Sequence, residues 1–133
     1  GRNGQEVKVD LLVEEIRPTD FEAIVFIGGP GALDYLDNEI SYNLIKETIK
    51  QNKILAAICI APVILAKAGA LKRKKATVWS SPVPICKAQT KILKENGAEF
   101  IDENVVSDGK IITASGPAAA KEFGEKIIES LLK

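Results

Sequence analysis

The sequence predicts an α/β three-layer domain with a mainly parallel sheet. Three observations carry that expectation. Short β-branched runs alternate with longer amphipathic ones along the whole chain. Two of the short runs, Ala23-Ile24-Val25-Phe26-Ile27 and Ile54-Leu55-Ala56-Ala57-Ile58, are unbroken apolar stretches, the pattern of strands buried on both faces. A single hairpin signal, Asp108-Gly109, lies between Val105-Val106 and Ile111-Ile112-Thr113. Strands alternating with helices build layered α/β domains. The 133 residues make one domain, 1–133, able to bury a core without disulfides.

The elements follow in order. Val7, Val9, Leu11 and Val13 alternate with polar residues and predict a half-exposed strand, which Pro18 and Asp20 end. The run from Ala23 stops at Gly28-Gly29-Pro30-Gly31. A helix is expected over 38–52, with Ile40, Leu44, Ile45 and Ile49 on one face and Asp37 or Asn38 as its cap. The second buried strand ends at Cys59. Pro62 opens the next helix, where a missing amide hydrogen costs little, and Gly69 is its expected C′ residue. A short strand over 76–79, an irregular connection over 80–84 and a helix over 85–96 precede the hairpin. The last helix starts near Gly116-Pro117 and carries Ala119, Phe123, Ile127 and Leu131 at i, i+4 spacing.

Composition removes several function classes. Lys+Arg and Asp+Glu are both 18, so no basic excess serves nucleic acid or an anionic membrane. The basic run Lys72-Arg73-Lys74-Lys75 reads as a solvated loop. No apolar stretch approaches the ~20 residues of a membrane span. With no histidine, neither a Cys-His pair nor an imidazole zinc site can be completed within these residues. Two cysteines, Cys59 and Cys86, fit a reducing, cytoplasmic setting. No cofactor and no metal are expected.

In open α/β sheets, ligands bind beyond the carboxyl ends of the strands. Two segments stand there. Gly28-Gly29-Pro30-Gly31 reads either as a tight strand-to-helix turn or as amides gathered around an anion or a developing oxyanion. Cys59 stands between a buried strand and a helix. That is the mechanical setting of a nucleophile elbow, where the helix start favours thiolate. A packed, inert cysteine fits the same pattern. Trp79 serves equally as pocket lining or as core, and Cys86 reads as a packing or surface thiol.

These segments, in this order and spacing, resemble the DJ-1/PfpI (ThiJ/PfpI) family. The likeness covers nearly the whole chain. It runs through Gly28-Gly29, Ala56-Ala57-Ile58-Cys59 with Pro62, Leu65-Ala66-Lys67-Ala68-Gly69, Asn96-Gly97-Ala98-Glu99, Asp108-Gly109-Lys110-Ile111-Ile112-Thr113 and Gly116-Pro117. The resemblance implies a flavodoxin-like sandwich and a cysteine-centred site. It implies Cys59 as nucleophile, with backbone amides at Gly28, Gly29 and Ile60 receiving an oxyanion. It also implies a small-molecule or peptide substrate and assembly into oligomers.

Three departures qualify what carries over. Ile60 and Trp79 stand where many members carry histidine, so a Cys-His hydrolase is not completed here. The family's opening strand, and its helix bearing a glutamate against the cysteine, have no counterpart in this sequence. Glu14 and Glu15 belong to a later part of the pattern. The stretch over 80–89 is longer than in protease-like members. The expected function is a reactive thiol acting on small carbonyl compounds or responding to oxidants. A PfpI-type peptidase or amidase and a non-catalytic binding module are the alternatives. Association with a separately supplied opening segment, or with a further copy, is expected.

Overall fold

The computed structural model describes residues 21–28, 36–79 and 88–132. The elements are β1 (Ala23–Ile27), α1 (Glu39–Lys50), β2 (Ile54–Ile58), α2 (Pro62–Lys67), β3 (Lys75–Ala76), α3 (Ala88–Glu95), β4 (Glu99–Phe100), β5 (Val105–Asp108), β6 (Ile111–Ala114), a 3₁₀ turn (Pro117–Ala119) and α4 (Ala120–Leu131). The main sheet has the order β1-β2-β6-β5. β1, β2 and β6 run parallel, and the hairpin sets β5 antiparallel to β6. β3 and β4 pair separately, in parallel. The strand expected over 7–13, Gly29 and Cys86 lie outside the described residues.

β2 shows why its sequence is apolar throughout. Its five residues are all buried, and they serve two cores by alternation. Leu55 and Ala57 pack with Ile45, Ile64, Leu65 and Leu93 on the α1–α2–α3 side. Ile54, Ala56 and Ile58 pack with Ile112, Ala114 and Phe123 on the α4 side. A polar residue at any of the five would be taken from water on whichever face it met.

β1 departs from the expectation of two buried faces. Phe26 is buried, yet Val25 is 39% exposed and Ile27 71% exposed. Register places Val25 opposite Ala56 and Ile27 opposite Ile58, hence on the α4 side. The other edge of β1 pairs with no strand among the described residues. An apolar sequence states that a face is suited to burial, not what covers it.

Local signals set the helix ends. Asn38 caps α1 from an extended backbone, its Oδ1 accepting from the Ser41 amide at 3.1 Å. Pro62 opens α2, and Gly69 follows its C-cap with φ +86°. The strand expected over 76–79 forms ladder pairs only at Lys75–Ala76. Beyond them, the Thr77 amide donates to the Thr113 hydroxyl at 2.9 Å, and the Trp79 amide donates to the Cys59 carbonyl at 2.8 Å. A side chain and a turn take the place of a neighbouring strand. β4 has no counterpart in the sequence reading, because two residues carry no period.

Asp37 ties the start of α1 to the end of α2. Its carboxylate accepts from the Tyr42 hydroxyl and from Lys67 Nζ at 2.6 Å. Burial opposes ionisation of Asp37, but bonds from Lys67 and Tyr42 and the lysine's charge outweigh it and hold its pKa below the ordinary 3.8. Burial, then the bond to Asp37 and its charge, push Tyr42 up from 10.0 to about 12. The signs oppose. Asp37 contributes stability above its ordinary pKa that is lost as pH falls through the lowered value. Tyr42 contributes stability that is present below pH 10 and lost between 10 and about 12. We expect Tyr42→Phe to lose less stability than the wild type between pH 10 and 12, read from melting temperature against pH. Parallel curves would show that the phenol does not titrate there.

Candidate functional site

The site forms where β2 ends. The Cys59 amide donates to the Ala114 carbonyl at 2.9 Å, keeping the residue in the ladder with β6. The backbone then turns sharply, with Cys59 at φ +68°. L-residues reach this region at a cost of about 1–2 kcal/mol, and only when the surroundings over-determine them. The determinants are visible. Trp79 N–H holds the Cys59 carbonyl at 2.8 Å, and Ala61 N–H returns to the Ile58 carbonyl at 3.3 Å. Pro62 begins α2 directly afterward. Cys59 is half-buried, with a flank against the core cluster that contains Ile58 and Ala114.

Gly28 comes against this turn from β1. Its amide donates to the Ile58 carbonyl at 3.2 Å. A Cβ at Gly28 would lie 2.7 Å from Ala61 N and 2.9 Å from both Ile60 N and Ile60 Cγ2. Glycine is required here by close approach of two backbones. The Ile60 amide has no acceptor among the described residues. The arrangement therefore offers a thiol on a strained turn, with an amide donor on the next residue that has no acceptor among the described residues.

Cys59, Gly28 and Ile60 are brought together. Trp79 joins them through its backbone, while its half-buried ring passes over Gly116, with Cδ1 3.5 Å from the position of a Cβ there. Thr113 and Gly116 were quoted only for the hairpin, the helix start and motifs of the family resemblance, and given no place in the site. Ala114 acts through its carbonyl, which no residue type announces. Among the described residues, no group of three or more His, Cys, Asp or Glu stands together to hold a metal. None of the described helices is long and apolar enough to cross a membrane. A cleft of about 380 Å³ lined by Lys53, Lys110 and Lys126 lies at the amino ends of the parallel strands, the edge opposite Cys59.

Comparison with known proteins agrees with this architecture. Residues 1–130 match the DJ-1/PfpI family, and the chain belongs to it. A ThiJ/PfpI domain protein of Brachyspira murdochii superposes with a TM-score of 0.88 at 32% identity, covering 98% of this chain and 72% of that one. The fold is flavodoxin-like. An uncharacterised Methanocaldococcus jannaschii protein is 40% identical over all of this chain and 63% of its own length. A protein named as a deglycase from Thermococcus kodakarensis is 37% identical over 88% of this chain and 66% of its own. A Caenorhabditis elegans protein named as a glutathione-independent glyoxalase is 28% identical over 96% and 64%. The chain spans slightly under two thirds of the length of these curated relatives.

Proposed function

We propose that Cys59 is a reactive thiol that adds to small carbonyl compounds. The carrying observation is a non-glycine residue at φ +68° between a fully buried strand and a helix, followed by the Ile60 amide, which has no acceptor among the described residues. In the step, the thiolate sulfur forms a bond to the carbonyl carbon and the π pair moves onto oxygen. The Ile60 N–H, with the amide of Gly29, receives that oxyanion, whereas the Gly28 amide expected to share in this is taken by the Ile58 carbonyl. A proton from water then gives a hemithioacetal. The relatives named as glyoxalase and deglycase support this substrate class. The same half-buried sulfur is suited to reversible oxidation to a sulfenic acid by a peroxide. Peptidase chemistry has less support, because the leaving amine needs a proton donor and the 133 residues contain no histidine.

The test is competitive alkylation at neutral pH. Iodoacetamide is expected to label Cys59 at least about tenfold faster than Cys86, the range by which site environment separates thiols. Turnover of a small 2-oxoaldehyde is expected to vanish in Cys59→Ala. Equal labelling of the two cysteines overturns the reading.

We also propose that a further strand and helix cover the outer edge of β1 in the working protein. The exposed Val25 and Ile27 support it, as does an outer edge of β1 that pairs with no strand among the described residues. Mass and size in solution test it. A soluble monomer of these residues alone, with that edge freely exchanging, overturns it, and a dimer places a second copy there.

A further inference from the structure

We infer that Thr113 is the positioning residue of the Cys59 turn. It lies 54 positions downstream, makes no contribution of its own to the thiol, and acts through two backbone segments. The inference rests on the reading of Cys59 as the reactive group.

The two bonds that hold Cys59 come from different parts of the chain. Its amide is bound by the carbonyl of Ala114, the last residue of β6. Its carbonyl is bound by the amide of Trp79, in the stretch after β3 that has no ladder partner. Only if both stay in place does the peptide on each side of Cys59 keep its orientation, and with it the φ of +68°. Something must therefore fix the 77–79 stretch relative to β6. The Thr113 hydroxyl does so. It accepts from the Thr77 amide at 2.9 Å and approaches the carbonyl of its cross-strand partner Val106 at 3.5 Å.

Thr113 is fully buried and Thr77 is 1% exposed, so water does not replace this bond. A valine at 113 preserves the shape and orphans the Thr77 amide, a loss concentrated on the segment that carries Trp79. Threonine's hydroxyl is used as a strand edge would be: one acceptor, placed where the 77–79 stretch has no ladder partner. This also accounts for a polar residue in β6, whose other three residues are Ile111, Ile112 and Ala114.

The experiment compares wild type, Thr113→Val and Thr113→Ser at a temperature where circular dichroism shows all three folded. Two quantities are read: the iodoacetamide rate at Cys59, with Cys86 as internal standard, and hydrogen exchange at the Thr77 and Trp79 amides, with Leu55 as reference. In Thr113→Val, Cys59 alkylation is expected to change by about tenfold relative to Cys86, and the two amides to exchange at least about tenfold faster relative to Leu55. Thr113→Ser is expected to restore both. A lower melting temperature with both rates unchanged overturns the inference and leaves Thr113 a packing residue. If wild-type Cys59 proves no faster than Cys86, the proposed function falls, and the exchange measurement alone decides the role of Thr113. Should Thr113→Val fail to fold, the wild type decides. Thr77 and Trp79 opening together supports the link, and Trp79 exchanging independently of Thr77 overturns it.

Discussion

Replacing Gly28 with alanine is expected to destabilise the protein by about 1–3 kcal/mol, the usual cost of forcing extra volume into a packed contact. The reason is specific to what the methyl group would meet. Ala61 N at 2.7 Å and Ile60 N at 2.9 Å are backbone atoms and cannot rotate aside, although Ile60 Cγ2 can. β1 and the Cys59 turn must move apart, and the Gly28 amide then loses the Ile58 carbonyl that it reaches at 3.2 Å. The displaced atoms include the amide proposed to receive the oxyanion, so turnover is expected to fall further than stability alone would explain. Gly124→Ala is the matched control. That glycine lies within α4, with nothing within 4 Å of an added Cβ, so the same substitution should stabilise by about 0.5–1 kcal/mol. Denaturant unfolding of the two variants is expected to shift in opposite directions. A neutral Gly28→Ala shows that the two backbones are not in contact.

Cys59→Gly is expected to be more stable than Cys59→Ala by about 1–2 kcal/mol, although both lose the sulfur and neither should turn over substrate. At most positions glycine is the less stable of this pair, by about 0.5–1 kcal/mol. At φ +68° the order inverts, because alanine keeps the Cβ that opposes the left-handed region and glycine removes it. Comparing these two variants cancels the lost contacts of the sulfur, which a comparison with wild type would not. The strain is thus stored at the residue proposed to react, as expected when a turn is held for chemistry and not for stability. Alanine proving the more stable variant would mean that Cys59 is unstrained in solution, and the elbow reading would go with it.

Much of the architecture was legible from particular residues. Asp37 or Asn38 was the expected cap of α1 and Asn38 serves, Leu44 and Ile45 of the expected stripe are buried while Ile40 and Ile49 are exposed, and Asp108-Gly109 announced the hairpin. The run Ile54–Ile58 announced a strand with two buried faces. Of the site, Cys59 and Gly28 were found because glycine and a cysteine at a strand end mark turns that few other residues serve, and Ile60 only through the family resemblance. The extent of β3, the pairing of β4 and the open face of β1 were not legible. Each depends on what lies alongside in space, and a two-residue strand has no period to read.

The amino-acid order alone determined which stretches are suited to burial, where helices begin and that a cysteine stands at the carboxyl end of the second apolar strand. Burial and turn formation are properties of a few neighbouring side chains, so short windows of sequence encode them. Only the folded chain decided that Cys59 is held from both sides, by Ala114 and by Trp79, with Thr113 joining the two. Those contacts use backbone groups that every residue possesses, and a hydroxyl that would elsewhere face water. Their meaning arises from distance in space between segments far apart in the chain.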